Sequence, residues 1–181
     1  MELSYNNYFN YKNKIEDLYL NAFPKNERFP FWILEECSKE NNSELLAITD
    51  NNIFVGMTYI VNCDDSYYLM YLAVKESLRN KKYGSTILKD LKEKYKILFL
   101  SIEEPVNEIS KKREKFYINN GFYNTDTLYK DNGVIYEILC TDKQYLVTRD
   151  KMLKRYKNMT NRSEIFSIIS NCFNSEFIEF K

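Results

Sequence analysis

The chain contains no histidine among its 181 residues. That removes the Ser–His–Asp constellation and every imidazole base from consideration. Its four cysteines, Cys37, Cys63, Cys140 and Cys172, are scattered, with no Cys-x-x-Cys pair. With neither the spacing nor a histidine to complete a tetrahedral set, no metal site is expected. Glycine is scarce, at four residues. None is followed by Lys-Ser/Thr, which excludes a nucleoside-triphosphate loop, and no triple-glycine dinucleotide fingerprint is present. No apolar run reaches membrane-spanning length, and the first residues lack a basic stretch followed by an apolar core. Neither sign of charge is in excess, since 26 Lys and Arg face 26 Asp and Glu. Nothing therefore pushes the chain as a whole toward nucleic acid or a membrane surface. A soluble cytoplasmic protein with reduced thiols is the expectation, and the glycosylation-type sequences at Asn158 and Asn161 carry no weight in that setting.

What is present fits one domain with a real core. Residues 3–22 are polar and aromatic, with Ile15, Leu18, Tyr19 and Ala22 at helical spacing. Pro24 and Pro30 interrupt, and a second helix is predicted from Phe31 to Lys39. Leu45–Asp50 and Ile53–Val61 form a predicted hairpin across Asp50-Asn51-Asn52, and Tyr67–Val74 adds a third antiparallel strand. A helix starts near Ser85, with Ile87, Leu88, Leu91 and Tyr95 on its apolar face. Ile97–Ile102 is a short apolar strand. Glu108–Asn119 is predicted helical, with Ile109, Phe116 and the Lys112 stem turned inward. Thr127–Lys130 and Val134–Cys140 flank the turn Asp131-Asn132-Gly133. A strand–helix–strand crossover inside an antiparallel meander gives an α/β (α+β) fold, in which helices flank a mixed, mostly antiparallel twisted sheet. The core spans about residues 45–140. Residues 142–181 are an extension of the same domain, with a basic helix over Arg149–Met159 and an amphipathic one over Ile165–Phe173. That last segment is suited to cover a sheet edge or meet a second copy, so monomer and homodimer both stay open.

Between Val74 and the helix near Ser85 lies Arg79-Asn80-Lys81-Lys82-Tyr83-Gly84-Ser85. A strand that ends in a turn and passes at once into a helix N-terminus directs main-chain N–H groups at an anion. Eight Lys or Arg against three acids over residues 75–96 add a local positive field suited to a small polyanion. Downstream, Phe116-Tyr117-Ile118-Asn119-Asn120-Gly121-Phe122 places a phenol before a glycine turn. A phenol of ordinary pKa about 10 can protonate a thiolate without itself titrating near neutrality.

In order and spacing these two segments resemble the GNAT superfamily of acyl-CoA-dependent N-acetyltransferases. The resemblance spans about Leu45 to Cys140, with looser similarity over Pro24-Lys25-Asn26-Glu27-Arg28-Phe29-Pro30. The family's Leu-Ala-Val, Arg/Gln-x-x-Gly-x-Gly/Ala segment stands here as Leu72-Ala73-Val74 and Arg79-Asn80-Lys81-Lys82-Tyr83-Gly84, with Lys82 replacing the first glycine. The family's Phe-Tyr-x-x-x-Gly-Phe is matched in full at residues 116–122. The resemblance implies acetyl-CoA as cosubstrate. Leu72, Val74, Arg79, Lys81, Lys82, Tyr83, Gly84 and Ser85 would hold it, and Gly84 would admit close approach of the backbone. Lys82 is expected to keep the cradle with ordinary helix-start dihedrals, which leaves open whether binding is weakened. Ser110 stands where the family commonly has asparagine, with Asn107 as its alternative, and Arg113 is expected to reach toward the CoA phosphates.

The resemblance further implies direct attack by a neutral amine on the thioester. A main-chain N–H near Val74 polarises the carbonyl, and Tyr117 protonates the departing thiolate. The acceptor is a small-molecule or peptide amine. Alternation along the strand from Ile97 sends Glu103 and Glu104 to opposite faces. Glu103, in phase with Phe99 and Ser101, is the favoured base or ammonium-binding residue. Glu27, Glu35 and Glu36 are further candidates to line the acceptor pocket. Lys82 and Ser110 also keep an alternative in view, a CoA-binding sensor of the same fold without turnover. A nucleic-acid-binding domain is disfavoured by zero net charge and by the lack of an aromatic–basic strand motif.

Overall fold

In order along the chain, strands span Leu3–Asn7 (β1), Ser43–Asp50 (β2), Ile53–Asn62 (β3), Tyr67–Val74 (β4), Leu98–Glu103 (β5), Tyr123–Asp131 (β6), Val134–Cys140 (β7) and Ser175–Phe180 (β8). Helices span Lys12–Ala22 (α1), Phe31–Cys37 (α2), Tyr83–Lys94 (α3), Glu108–Asn119 (α4), Arg149–Lys157 (α5) and Ser163–Cys172 (α6). These come from a computed structural model that describes residues 1–172 and, as backbone only, 175–180. Phe173, placed by the sequence in the last amphipathic helix, lies outside the described residues.

The strands form one sheet in the order β1-β2-β3-β4-β5-β7-β6-β8. Every neighbouring pair is antiparallel except β4–β5. Both two-residue hairpins are set by turn chemistry. Asn51 and Asn52 have φ of 48° and 64°, and Asn132 and Gly133 have 46° and 81°. Positive φ at both central residues matches the right-handed twist of the strands they join.

Two edges of the sheet depart from the sequence expectation. Leu3–Asn7, placed in a helical N-terminal region, is instead strand β1, in register with β2 from Leu3↔Asp50 to Asn7↔Leu46. At the far edge β8 pairs with β6, a strand with no counterpart in the sequence reading. β6 itself runs well beyond the Thr127–Lys130 core expected for it. Each difference has one cause, since an edge strand is fixed by its neighbour's free backbone groups rather than by local propensity.

Apolar side chains form one cluster on each face of the sheet. Along β5, Leu98, Leu100 and Ile102 join one with Ile87, Leu88 and Leu91 of α3. Phe99 points the other way, into a cluster with Ile15 and Tyr19 of α1 and Ile33 and Leu34 of α2. Val147, Met152, Met159, Ile165 and Ile169 belong to that second cluster. Residues 147–169 thus pack into the same core as the strands.

Candidate active site

The parallel contact between β4 and β5 extends over only two residue pairs, Tyr67↔Leu98 and Tyr68↔Phe99. Just beyond, the β3–β4 register slips from Ile60↔Leu69 to Tyr59↔Tyr71, leaving Met70 as an extra residue in β4. A bulge bends its strand and increases local twist, and here it falls where β4 leaves β5. The two strands diverge toward their C-terminal ends. Between them lies a cavity of about 310 Å³, walled by Leu72, Ala73, Val74 and Arg79 on one side and Ser101, Ile102 and Glu103 on the other. Beyond residue 68 the β4 backbone has no β5 partner, so its main-chain groups on that side face the cleft.

α4 brings Tyr117 to this space. Asn107 accepts from the N–H groups of Ile109 and Ser110 at 2.9 Å each, and Ser110 Oγ accepts from Asn107 N at 3.1 Å. This is a complete capping box. It gives both residues a structural task at the helix start. Neither is among the residues that line the cavity. Ile109, expected to face inward, is 72 % exposed. The helix phase instead turns Phe116 and Tyr117 onto the core. At the other end Gly121 takes φ 83° and terminates the helix, and Phe122 folds back against the Tyr117 ring at 5.6 Å. Tyr117 lines the cavity, and its hydroxyl makes no hydrogen bond among the described residues. Burial raises its pKa to about 12, with the Arg113 guanidinium opposing the shift. The proton is therefore in place at any neutral pH.

The loop before α3 is built under strain. Asn80 and Lys82 take φ of 61° and 66°. Lys82, expected to adopt ordinary helix-start dihedrals, sits instead in the left-handed region as the N-cap of α3. A long side chain there carries a cost that glycine does not. No side chain caps α3, and its first turn holds no acid, so the opening N–H groups of Tyr83, Gly84 and Ser85 lack a side-chain acceptor. Lys81 and Lys82 are exposed beside them. The Tyr83 ring swings away, donating to Asp50 Oδ2 at 2.9 Å. Gly84 has a packing reason beside the expected one, because a Cβ there would stand 3.0 Å from the Phe116 ring. It lets α3 pack on α4.

The opposite arm of the cavity is walled by Phe23, Glu27 and Phe29, Tyr71 of β4, and Tyr129, Asp131 and Tyr136 of the β6–β7 hairpin. The 23–29 loop is pinned from several sides. Arg28 Nη1 donates to the Phe23 carbonyl at 2.7 Å, the Tyr71 hydroxyl to the Glu27 carbonyl at 3.2 Å, and the Tyr19 hydroxyl to the Phe29 carbonyl at 3.0 Å. Glu27 Oε2 accepts from the Tyr136 hydroxyl at 3.1 Å, and the Glu103 carboxyl is its acidic neighbour. Burial, then the charge of Glu103, pushes the Glu27 pKa upward, while the Tyr136 hydroxyl and Arg113 pull it back. Arg113, expected to reach CoA phosphates, donates to Glu103 Oε2 at 3.2 Å. Glu104 does not line the cavity. Neither do the other two candidates, since Glu35 pairs with Lys12 and Glu36 with Lys39 and Arg162.

The end of this arm rests on a group that the sequence reading did not single out. Arg155 of α5 is 1 % exposed and places its guanidinium 5.2, 4.6 and 4.4 Å from the ring centres of Tyr68, Tyr129 and Tyr156. Its Nη2 donates to Asp131 Oδ2 at 3.2 Å, and the Tyr156 hydroxyl donates to the same oxygen at 2.7 Å. A basic helix gives no hint which of its cations will be buried, so the sequence carries no signal for this cluster.

The family model for the acetyltransferase (GNAT) domain matches residues 23–137, from the loop that carries Glu27 through most of β7. Among solved structures, a protein of Bacteroides thetaiotaomicron assigned to the GNAT acetyltransferases superposes with a TM-score of 0.72 at 22 % identity, over 85 % of this chain and 94 % of that one. The aminoglycoside 6'-N-acetyltransferase of Enterococcus faecium gives 0.62 at 16 % identity, over 82 % and 100 %. The ribosomal-protein-S18-alanine N-acetyltransferase of Escherichia coli gives 0.62 at 13 %, over 82 % and 97 %. No curated protein matches in sequence. Among the described residues no helix is long and apolar enough to cross a membrane, and no group of three His, Cys, Asp or Glu is placed to hold a metal. Splayed strands, an uncapped helix start after β4 and a phenol beneath the gap are the parts this family model spans, and the chain belongs to the GNAT acetyltransferases.

Proposed function

We propose that the protein transfers an acetyl group from acetyl-CoA to a primary amine, with Tyr117 as the acid and Glu103 as the residue that receives the charge of the incoming ammonium. One observation carries this reading. A single cavity, opened by the divergence of β4 and β5, is lined both by the Tyr117 side chain and by Glu103.

The residues present fit the cosubstrate. Three opening amides of a twelve-residue helix, uncapped by any side chain and flanked by Lys81 and Lys82, suit a pyrophosphate, to which the helix dipole adds about 0.3–1 kcal/mol. Leu72, Val74 and Arg79 line the adjoining part of the cavity, where a thioester arm would lie. When bound, acetyl-CoA supplies an activated acyl carbon and a sulfur leaving group. The chain then has three tasks. The free β4 amide near Val74 polarises the carbonyl, a contribution of about 3 kcal/mol for one such donor. Glu103, held by Arg113, offsets the ammonium's positive charge. Tyr117 donates its proton as negative charge develops on sulfur.

Thiol release from acetyl-CoA, measured with and without amines for wild type and Tyr117→Phe, tests this reading. Acceptor-dependent release that collapses in the variant is the expected result. Binding of acetyl-CoA with no acceptor-dependent release would point instead to a sensor of the same fold.

A further inference from the structure

We infer that the acceptor is a compact monocationic primary amine whose proton is taken by Glu27, with the apolar remainder held by the tyrosine rings of the 23–29 arm. This rests on the transferase reading and adds to it a substrate class and a further catalytic residue.

Three observations lead there. The first is charge. Of the carboxyl groups along the cavity, Glu103 is paired with Arg113 and Asp131 with the buried Arg155. Among the described residues Glu27 accepts a hydrogen bond only from a phenol, Tyr136. Glu27 and Glu103 thus share the one Arg113 guanidinium, and the acceptor arm carries one net negative charge, enough for one ammonium and not for a polycation. The second is size. About 310 Å³ must take both the thioester end of the cosubstrate and the acceptor, which leaves space for a small molecule. The third is surface. Tyr71, Tyr129 and Tyr136 face the same space, and aromatic faces suit an apolar body next to a cation.

Glu27 is also the better placed of the two glutamates to accept a proton. Arg113 is the ion-pair partner of Glu103. Burial and the neighbouring Glu103 charge favour protonation of Glu27. In the reaction the ammonium gives one proton to Glu27. The freed lone pair forms the C–N bond while the C–S bond breaks, and its electron pair leaves on sulfur. Sulfur takes the Tyr117 hydroxyl proton, and the second proton shed by nitrogen restores the phenol. Glu27 releases its proton to water.

The groups that face the Glu27 carboxyl are Glu103 from β5, Tyr136 from β7 and Arg113 from α4, and they make the test specific. Glu27 must be ionised to work, so activity falls as pH falls through its pKa. Tyr136→Phe removes a hydrogen bond that favours the ionised form, and the acid limb of kcat/KM moves to higher pH. Glu103→Gln removes the neighbouring charge, and the limb moves to lower pH. A residue that merely braced the loop would move neither. Glu27→Gln lowers kcat by at least 100-fold while acetyl-CoA still raises the melting temperature of the variant, which shows that it is folded.

The full chain is assayed with 2-phenylethylamine, spermidine, kanamycin and a short peptide with a free N-terminal alanine. At least tenfold higher kcat/KM for 2-phenylethylamine supports the inference. Preference for spermidine, kanamycin or the peptide overturns it, as does a Glu27→Gln variant with full activity, and both leave the transferase reading standing. Bound acetyl-CoA with no thiol release for any amine overturns both.

Discussion

At the α3 end of the cleft the chain exposes what it offers, namely uncapped main-chain amides, lysines in open solvent and two residues held at positive φ. At the 23–29 end it hides what it offers. A loop tied by Arg28, Tyr19 and Tyr71 presents one carboxyl into a tyrosine-lined arm, backed by a guanidinium in the core. The first end is built from backbone, which every member of a family can provide with different side chains. The second is built from side chains contributed by β4, β5, β6, β7, the 23–29 loop and α5, and so belongs to this chain. The proposed transfer, with its shared cosubstrate and private acceptor, calls for that division.

The comparison is broken most severely at Arg155. Replacing it with methionine leaves Asp131 without its cation in the core, and breaking a buried pair this way costs about 3–5 kcal/mol. A large fall in the urea midpoint is expected. An unchanged midpoint would mean that the acceptor arm does not depend on α5. Tyr117→Phe is the next largest effect. Loss of the proton donor lowers kcat by about 10²–10⁴-fold, while acetyl-CoA binding measured by calorimetry stays within a few fold. Because the hydroxyl has no hydrogen bond among the described residues, stability changes by no more than about 0.5 kcal/mol.

Smaller changes sharpen the contrast at the other end. Lys82→Gly relaxes the left-handed N-cap, and after the extra unfolded-chain entropy of glycine is subtracted a gain of about 0.5 kcal/mol is expected. Lys82→Val, with a branched Cβ at the same φ, loses about 1–2 kcal/mol. Paired thermal melts read both, and equal melting points would show that the loop carries no strain. Least of all is expected from Arg162→Ala. It breaks exposed contacts with Glu36 and Glu40 far from the cleft, and exposed pairs of this kind contribute little. Its melting curve should overlay that of wild type.

Local chemistry explains which parts of this molecule were legible in the sequence. The Asn51-Asn52 and Asn132-Gly133 turns, the α3 stripe of Ile87, Leu88 and Leu91, and the order of β2 through β7 all follow from residues adjacent along the chain. β1 and β8 do not, since their partners are 39 or more residues away and their own patterns are short. The Asn107–Ser110 capping box is visible as spacing, and a capping role at the helix start is compatible with the one the family resemblance implies for those residues. Ile109 shows an error, in which an apolar residue was assigned inward when the helix phase set by Phe116 and Tyr117 leaves it in solvent. Glu27 and Glu103 were each named as candidates, but 76 positions of chain separate them, and only the fold brings their carboxyl groups together.

The seam between β4 and β5 has a mechanical consequence. Among the described residues two ladder pairs join the half-sheet of β1–β4 to the half-sheet of β5–β8, so opening and closing of the gap is resisted chiefly by the side chains that bridge it. The Tyr68 hydroxyl, which donates to Ser101 Oγ at 3.0 Å, is one such strut, and Arg155 beneath it is another. Weakening either should let the two halves swing apart on slower timescales. Faster deuterium uptake at the amides of Leu72 to Val74 than at those of Tyr67 and Tyr68 would register that motion.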